Sequence, residues 1–511
     1  MSDTKRSDGA RKSSLDISGE AMRELSSEVT QLVTEYFDRI PNLPVFPQTF
    51  GGSTTKKISA RLSLEGEPLK KLIADSQSII NDSRHNGHPR FFGYVASPAT
   101  PAGAFADLIA SALNPNVVAW RSAPAATEVE RIVVRWLGSL IGYGEAAHGL
   151  LTSGGSMANM IALLMAQRLK SNDDIAGKGL WNSSSPMTIY ASDQVHMSIP
   201  KAADVLGHGR DQVRLVKSDH RFRMDTQRLR AEIEQDLQSG LRPFCIVASA
   251  GTVNTGAVDP LTDIANVAEQ FGLWFHVDGA YGAPAAMDER KRDLFAGLDR
   301  ADSVSLDAHK WLYVPIDAGC LLFRKETGAR AAFSSSDADY IKVLEPEEAG
   351  EAFAFWDYGV ELSRRFRALK IWFTLQYYGL NRIAQAISED NSLAQYLAER
   401  VVQAEDLELL APVELSICCF RYVPRDFKDR LESAEQGEGE QLNAELNHLN
   451  ERIMHAVQRG GDAYLSNATV GGKFALRACI TNFRTTESDL DKTLEIIRAA
   501  ARRENRDREE L

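Results

Sequence analysis

The feature that most constrains the fold is an alternation of strand-like and helical runs along residues 150–322. The strand-like runs are residues 187–190, 213–216, 244–249, 273–277, 304–306 and 320–323, and helical patterns at 225–238 and 260–271 lie between some of them. Such alternation is typical of a mainly parallel sheet with helices on both faces. We therefore predict an α/β domain that binds its ligand at the carboxyl ends of the strands.

The rest of the chain divides into segments of different character. Residues 1–14 are polar and lack the apolar stretch of a signal peptide, which predicts a disordered tail. The next segments predict a helix over residues 16–40, a helix over 363–387, a small α+β domain over the last 120 or so residues and a polar tail from about residue 502. We predict domain boundaries at 15–100 for an N-terminal helical and extended dimerisation segment, 101–388 for the large domain and 389–511 for the small one.

Composition narrows the functional class. The chain is 44% hydrophobic and 25% charged, as soluble globular proteins are, and its net charge of −12 argues against a general nucleic-acid binder. No uninterrupted apolar span is long enough for a membrane helix. The five cysteines have apolar neighbours and no paired spacing, which indicates reduced core residues and a cytoplasmic location. The ten histidines lack metal-ligand spacing, so we predict no catalytic metal.

Lys310 is the first candidate for chemistry. It follows an apolar run and precedes Trp311 and Leu312, a context in which its amine would be buried. Burial lowers the pKa of an amine and leaves it nucleophilic, so that it can bond to an aldehyde. A lysine in this context also fits a side chain that extends from a strand end to water.

Two further features give Lys310 a context. Asp278 follows the strand-like run 273–277, where a carboxylate could keep the ring nitrogen of pyridoxal phosphate protonated. Gly154, Gly155 and Ser156 form a turn before a strong helical pattern, where free N–H groups attract phosphate. Alone, Asp278 fits a helix cap and the glycines fit an ordinary turn. The three features are specific for a pyridoxal-phosphate site only together and in this order: the phosphate turn, then the acid at the strand end, then the buried lysine.

Between residues 89 and 380 the chain carries P-R-F-F-G-Y, T-S-G-G-S-M-A-N, H-V-D-G-A-Y-G, D-A-H-K-W and S-R-R-F-R-A-L-K-I-W-F. In these motifs it resembles the group II pyridoxal-phosphate-dependent amino-acid decarboxylases, and their aromatic-L-amino-acid branch most closely. The resemblance implies the PLP-dependent transferase-like fold of the aspartate aminotransferase type (type I), with a mainly parallel sheet in the large domain. It also implies a pyridoxal 5'-phosphate cofactor and a homodimer with active sites at the subunit interface.

The resemblance also assigns roles to individual residues. Lys310 would hold the cofactor, Asp278 would pair with its ring nitrogen, His196 would stack on its ring, and Tyr340, in a mobile loop, would protonate the product carbon. Further cofactor contacts are expected at Gly155, Ser156, Thr252, Ala280, Asp307, His309 and Ser363. The family's second threonine is replaced by Val253, and a glycine that often precedes its arginine pair is replaced by Ser363. The three arginines that follow Ser363 could simply be exposed to solvent, as most runs of charged residues are, rather than take part in the site.

The substrate is the least constrained part of the prediction. Phe92, Tyr94 and Trp120 suit an aromatic amino acid, whereas Arg121 stands where the aromatic branch usually carries a small residue and would suit an acidic one if it faces inward. We predict decarboxylation of an aromatic amino acid, with an acidic amino acid as the alternative. The same motifs would also suit a carbon–carbon lyase, an aldehyde-forming enzyme of the same fold or a catalytically silent dimeric scaffold, and a tyrosine at 340 weighs against the aldehyde-forming enzyme.

Overall fold

The computed structural model describes residues 15–49, 52–58, 62–334, 353–434 and 436–509. The chain divides into two compact units, Met1–His85 and Asn86–Leu511. The large and small sheets described below both belong to the second unit. The domain boundaries at 100/101 and 388/389 stay predictions.

The N-terminal unit is helical. Its helices are α1 (Gly19–Arg39), α2 (Ser53–Lys57) and α3 (Leu69–Asn81). Helix α1 begins where the Ser18 Oγ accepts a hydrogen bond from the Ala21 N–H at 3.1 Å, and it ends before Pro41. The helix carries an apolar stripe that includes Leu25, Val29, Leu32, Val33 and Phe37. None of the residues of α1 is buried, and Leu25 and Val29 of this stripe are exposed.

The second unit is built around a seven-stranded sheet. After a short strand β1 (Phe91–Phe92), the sheet strands are β2 (His148–Thr152), β3 (Met187–Ser192), β4 (Val213–Val216), β5 (Arg242–Ser249), β6 (Trp274–Asp278), β7 (Ser303–Asp307) and β8 (Gly319–Phe323). Their order is β2-β8-β7-β6-β5-β3-β4. Strand β8 runs antiparallel to both neighbours and the other adjacent pairs are parallel. The prediction of a mainly parallel sheet is confirmed.

Helices cover this sheet on both faces. All residues of β3, β6, β7 and β8 are buried, which requires packing above and below each strand. The helices of this part of the chain, not all of which touch the sheet, are α4 (Pro101–Leu113), α5 (Pro124–Leu140), α6 (Gly155–Lys170), α7 (Ile175–Lys178), α8 (Ser198–Val205), α9 (Thr226–Gln238), α10 (Leu261–Phe271), α11 (Ala308–Trp311), α12 (Glu326–Phe333), α13 (Arg367–Tyr378) and α14 (Leu380–Val402). Helix α6 packs along β5 to β8 and brings its N-terminus to the strand ends.

A smaller sheet has its own core. Its C-terminal strands are β9 (Leu407–Leu409), β10 (Ile417–Tyr422), β11 (Tyr464–Val470) and β12 (Lys473–Cys479). The order is β1-β11-β12-β10-β9, with β1 parallel to β11 and the remaining pairs antiparallel. Helices α15 (Arg425–Ser433), α16 (Gln436–Gly460) and α17 (Glu487–Glu509) accompany it. The predicted small α+β domain is confirmed as part of the fold.

Two predicted helical boundaries are wrong. The helix expected over residues 363–387 is divided into α13 and α14, because Gly379 adopts φ +73°, a value that favours glycine and interrupts the helix. The polar tail expected from about residue 502 continues α17 as far as Glu509. Its arginines and glutamates are polar, but they are also good helix formers.

The five cysteines are buried and their thiols are free, as their apolar neighbours predict. Burial raises the pKa of each thiol, so the thiols stay protonated and unreactive. In the described ranges, no helix combines the length and the apolarity required to span a bilayer.

Candidate active site

A cavity of about 500 Å³ lies where several strands of the large sheet end. Asp278 ends β6, Asp307 ends β7 and Ser249 ends β5, and all three line the cavity. Parallel strands bring their carboxyl ends to one edge of a sheet, which is why residues far apart in sequence meet here. The predicted site residues that line it are Tyr94, Gly155, Ser156, His196, Asp278, Ala280, Asp307, His309 and Lys310.

The turn between β2 and α6 faces the cavity through residues 153–156. Because α6 is 16 residues long and begins at Gly155, its N-terminal N–H groups and dipole favour an anion at this end. A Cβ atom at Gly155 would lie 2.8 Å from the Cβ of Ala280 and 3.1 Å from Asp307 Oδ2. Glycine therefore allows the turn to approach both strand ends closely.

Lys310 lies on the short helix α11, directly after β7. Its Nζ forms an ion pair with Asp307 Oδ2 at 3.0 Å, and its side chain is 23% exposed. Burial lowers the pKa of Lys310, but the carboxylates of Asp307 and Asp278 outweigh burial and hold the pKa above its ordinary value. The predicted lowering of the Lys310 pKa is wrong for this state, because the sequence does not reveal two carboxylates beside the amine.

The aromatic residues after Lys310 are anchored to α14. The Trp311 Nε1–H donates to Asp390 Oδ2 at 2.8 Å, and the Tyr313 hydroxyl donates to the same oxygen at 2.7 Å. Tyr281 stacks on Trp311 with ring centroids 5.2 Å apart. These contacts hold the segment that follows Lys310 in place.

Asp278 is buried and well supplied with donors. Its Oδ1 accepts from Ser305 Oγ at 3.0 Å and from the Ala280 N–H at 3.1 Å, and its Oδ2 accepts from Asn159 Nδ2 at 2.8 Å. Burial alone would raise the pKa of Asp278, but Lys310, the neighbouring histidines and the Asn159 hydrogen bond lower it overall. The carboxylate therefore stays ionised, as pairing with the protonated ring nitrogen of pyridoxal phosphate would require.

His196 lies just before α8 and is largely buried. Its Nδ1 is 2.8 Å from Ser198 Oγ and 3.2 Å from the Ser198 backbone N–H. Burial lowers the pKa of His196. The Asp278 carboxylate raises this pKa and the Lys310 ammonium lowers it, and the net result is a pKa below the ordinary value. His309 Nδ1, by contrast, accepts a hydrogen bond from the Ala318 backbone N–H at 3.1 Å.

Several predicted contacts lie outside the cavity. Phe92 is fully buried in the core of the small sheet, where it cannot touch a ligand in the cavity. Thr252 is buried, with its hydroxyl 3.0 Å from that of Thr255, while its neighbours Gly251 and Val253 line the cavity.

Three more of the predicted residues are not part of the cavity wall, and a fourth lies outside the described part of the chain. Trp120 is half-buried, Arg121 and Ser363 are exposed, and none of the three lines the cavity of this chain. Tyr340 lies outside the described residues.

The arginines after Ser363 are not a solvated face. Arg364 is 3% exposed and pairs with the buried carboxylate of Glu130, and Arg367 is 6% exposed and pairs with Asp317 at 2.8 Å. Only Arg365 of the three is exposed. Two of the three arginines therefore form buried ion pairs. A run of charges in the sequence does not show whether the side chains are buried in ion pairs or exposed to solvent.

Arg477, in the middle of β12, is a cavity residue that the sequence prediction missed. Its Nε donates to the carbonyl oxygens of Val253 and Asn254, and its NH1 donates to Tyr94 O and Ser466 Oγ. Its NH2 has no hydrogen-bond partner among the described residues, although Arg477 is only 3% exposed. The available signal was a charge inside the apolar run 474–480.

The donors and acceptors of the cavity fit pyridoxal phosphate. A primary amine is available for an aldehyde, an ionised buried carboxylate for a protonated ring nitrogen, and a helix N-terminus for a phosphate. A second buried atom, Asp307 Oδ1, lacks a partner in the described part of the chain, as expected of a wall that has room for a ligand. Fold and site together define a pyridoxal-phosphate-dependent enzyme.

Comparison with known proteins gives the same class and narrows it. The model of the pyridoxal-dependent decarboxylase conserved domain matches residues 52–423. The aromatic-L-amino-acid decarboxylase of Bacillus atrophaeus is 33% identical over 488 residues, which cover 95% of this chain and 97% of that protein. The phenylacetaldehyde synthase of a Rosa hybrid cultivar is 28% identical over 486 residues, covering 94% and 93%. The chain belongs to the pyridoxal-dependent decarboxylase family.

Solved structures of similar proteins share the fold over almost their whole length. Mouse CSAD has a TM-score of 0.87 at 27% identity, and the Oryza sativa TDC structure with PLP and tryptamine has a TM-score of 0.84 at 25% identity. Each comparison covers 95% of this chain and 99% of the other. The chain is therefore an amino-acid decarboxylase that uses pyridoxal phosphate and has the fold that the sequence motifs implied.

Proposed function

We propose that the chain decarboxylates an aromatic L-amino acid to the corresponding amine and carbon dioxide. The observation that carries this choice is the charge of the cavity wall. Arg477 is the one arginine lining it in the described chain, and one guanidinium can pair with one carboxylate. An acidic substrate has two carboxylates, and Arg121, the candidate partner for the second, is exposed and outside the wall.

The rest of the wall supports an aromatic side chain. Tyr94, Val95, Met157 and Tyr281 offer aromatic and apolar surface to the same cavity. The similarity to the Bacillus atrophaeus aromatic-L-amino-acid decarboxylase over nearly the whole chain supports the same substrate class.

We assign the cofactor contacts as follows. Lys310 would bond to the aldehyde, the turn at Gly155 and Ser156 would hold the phosphate, and Asp278 would pair with the ring nitrogen. Pyridoxal phosphate, when bound, supplies a ring that accepts the electron pair released as carbon dioxide leaves. Asp278 suits its part because three donors and nearby positive charge keep it ionised despite burial.

Other side chains would handle protons and orient the substrate. Asp307, 3.0 Å from Lys310 Nζ, favours the protonated amine, so Lys310 must lose a proton before it acts as a nucleophile. Arg477 would pair with the substrate carboxylate through its unused NH2. Tyr340, by resemblance to the family's catalytic tyrosine, would supply the proton that replaces carbon dioxide.

A second candidate is an oxidative reaction in the same cavity, in which dioxygen and water are consumed and the aldehyde forms together with carbon dioxide, ammonia and hydrogen peroxide. The similarity to the Rosa phenylacetaldehyde synthase favours keeping it. The tyrosine at 340 weighs against it, because the aldehyde-forming branch commonly lacks that hydroxyl. The two reactions differ in their products and can be separated directly.

The test is a product assay with the cofactor-loaded protein and Lys310→Ala as the control. Tyrosine, tryptophan, phenylalanine, dihydroxyphenylalanine, glutamate and aspartate are supplied one at a time, and carbon dioxide, amine and aldehyde are measured. Lys310-dependent amine from an aromatic substrate is the expected result. Aldehyde in place of amine would support the second candidate, and amine from glutamate or aspartate alone would overturn the aromatic assignment.

We also propose a homodimer. The apolar stripe of α1 includes Met22, Leu25 and Val29, which are 54%, 38% and 37% exposed in the single chain. A second copy of the chain would cover such a stripe, as the family resemblance implies.

A further inference from the structure

A line of hydrogen bonds runs from the core of the large sheet to the cavity. On β6, Trp274 Nε1–H donates to Ser303 Oγ at 2.9 Å, and Ser303 Oγ lies 2.8 Å from His276 Nδ1. The other nitrogen of His276, Nε2, lies 3.0 Å from Asn159 Oδ1 on α6. Trp274, His276 and Asn159 are all buried, so each of these polar groups depends on the next.

Asn159 divides the line into two branches. Its Nδ2 donates to Asp278 Oδ2 at 2.8 Å and to Ser198 Oγ at 2.9 Å. Ser198 Oγ in turn lies 2.8 Å from His196 Nδ1, in the wall of the cavity. One amide group thus touches the Asp278 carboxylate directly and the His196 ring through one hydroxyl.

The direction of each bond follows from groups that can act in one way only. An ionised carboxylate can only accept, so the nitrogen of the Asn159 amide must face Asp278, and its oxygen must face His276. His276 Nε2 therefore carries a proton. Burial lowers the pKa of His276 to about 4, so the ring is neutral and its Nδ1 accepts a hydrogen bond from the Ser303 hydroxyl. The Ser303 oxygen accepts from the indole N–H, and every link is satisfied.

The same logic fixes the far end. Ser198 Oγ accepts a hydrogen bond from Asn159, and among the described residues His196 Nδ1 is the neighbour to which its own hydrogen can be donated. The Ser198 backbone N–H also points to this nitrogen, at 3.2 Å. A backbone N–H can only donate, so this contact favours a non-protonated Nδ1, which can then accept from the Ser198 hydroxyl as well.

We propose that Asn159 and His276 are positioning residues that hold His196 neutral, with its single proton on Nε2. The Nε2–H is then the donor that the ring offers to a molecule in the cavity. The inference rests on the proposed function in so far as His196 acts beside the substrate, but the protonation state itself does not depend on the substrate.

The charged neighbours of His196 act in opposite directions. The carboxylates of Asp278 and Asp307 favour an imidazolium, whereas Lys310 and burial oppose it. Without the hydrogen-bond line, the Asp278 carboxylate could draw a second proton onto the ring as pH falls. The line therefore keeps His196 from titrating in the range where histidines ordinarily do.

Nitrogen-15 NMR of histidine-labelled, cofactor-loaded protein tests this directly, with His196→Gln used to assign the His196 signals. We expect a non-protonated Nδ1 and a protonated Nε2, unchanged between roughly pH 6 and pH 9. A proton on Nδ1, or titration of His196 in that range in the wild-type protein, would overturn the proposal. These signals do not depend on turnover, so a failed product assay would leave this result standing.

Variants separate positioning from general stability. In Asn159→Leu the Ser198 hydroxyl is free to turn, so His196 should gain a titration midpoint about one pH unit or more above that of the wild-type ring, the size of one lost hydrogen bond. Asn450→Leu is the matched control, because Asn450 is equally buried and makes three hydrogen bonds in the small domain. Unchanged His196 signals in Asn159→Leu would contradict the proposal.

A second pair guards against a variant that does not fold. His276→Gln keeps an N–H donor for Asn159 Oδ1, whereas His276→Leu removes it. We expect the pH profile of kcat/KM and the His196 signals to stay close to wild type in His276→Gln and to shift in His276→Leu. Equal shifts in both variants would mean that His276 acts only through packing.

Discussion

Arg477 has four hydrogen bonds committed to the protein, while its NH2 group has no partner in the described part of the chain. The bonds to Val253, Asn254, Tyr94 and Ser466 fix the plane of the guanidinium, so the direction of NH2 is set before any ligand arrives. A preorganised cation loses little entropy when it pairs with a carboxylate. In the proposed function, the same residue would therefore both hold the loop and the small sheet in place and bind the substrate carboxylate.

Replacing Arg477 with lysine should raise KM for the amino acid and lower kcat/KM by about 10- to 100-fold, the worth of one charge-assisted hydrogen bond. A lysine keeps the positive charge but lacks the planar guanidinium, whose several N–H donors fix the direction of the group. Steady-state kinetics with the preferred substrate check this. The matched control is Arg421→Lys, since Arg421 is also buried in the small sheet but pairs with Glu408 and Asn443. An equal loss in both variants would assign the effect to stability.

At the scale of elements, the segment that carries Lys310 is held between a strand and a helix. Strand β7 sets its start, and Asp390 on α14 accepts hydrogen bonds from Trp311 and Tyr313 just after the lysine. Burial raises the pKa of Asp390 to about 7. The anchor is therefore a carboxyl group that stays protonated in the folded chain at mildly acidic pH.

This anchor predicts a pH dependence of stability. An unfolded aspartate has a pKa of about 3.9, so between about pH 4 and pH 7 the folded state holds a proton that the unfolded state has lost. The Asp390 contribution is complete below that window and declines as pH rises through it, by up to about 1.4 kcal/mol per pH unit. Asp390→Asn should remove this slope while retaining an oxygen for both donors.

Urea unfolding of the wild-type and Asp390→Asn proteins at about pH 5 and pH 8 measures how the free energy of unfolding of each protein changes with pH. Relative to the wild type, the variant should be more stable at pH 8 than it is at pH 5. Asp390→Leu, which has no acceptor, should be less stable at both. Parallel pH profiles for the wild type and Asp390→Asn would contradict the raised pKa.

At the scale of the whole molecule, the large sheet could be predicted from sequence because most of its strands are buried along most of their length and read as apolar runs. Strand β4 matches its predicted bounds, and β3, β5, β6, β7 and β8 differ by a few residues at their ends. What could not be predicted depends on neighbours distant in sequence. The Lys310 pKa, the burial of Arg364 and the position of Arg477 all follow from which elements meet, and a local pattern carries no such information.

Assembly is the prediction that belongs to this scale. Leu25→Glu with Val29→Glu would place two charges in the exposed apolar stripe of α1 and should convert a dimer to a monomer, with loss of activity if active sites lie at the subunit interface. Light scattering at micromolar concentration reports the mass against 56.4 kDa for one chain.

The control double variant is Ser27→Glu with Gln31→Glu, which adds the same charge to the opposite face of α1. A dimer that persists in both double variants would exclude the stripe as the interface.

The cavity draws on residues from Tyr94 to Arg477, contributed by the turn after β1, the ends of parallel strands, the helices α6 and α11 and the small sheet. No stretch of the chain short of β12 contains all of these groups, so the complete cavity exists only when both sheets have folded and joined. A ligand that binds only the finished arrangement stabilises that arrangement alone. A cofactor held in this cavity is therefore expected to raise the free energy of unfolding of the joined sheets.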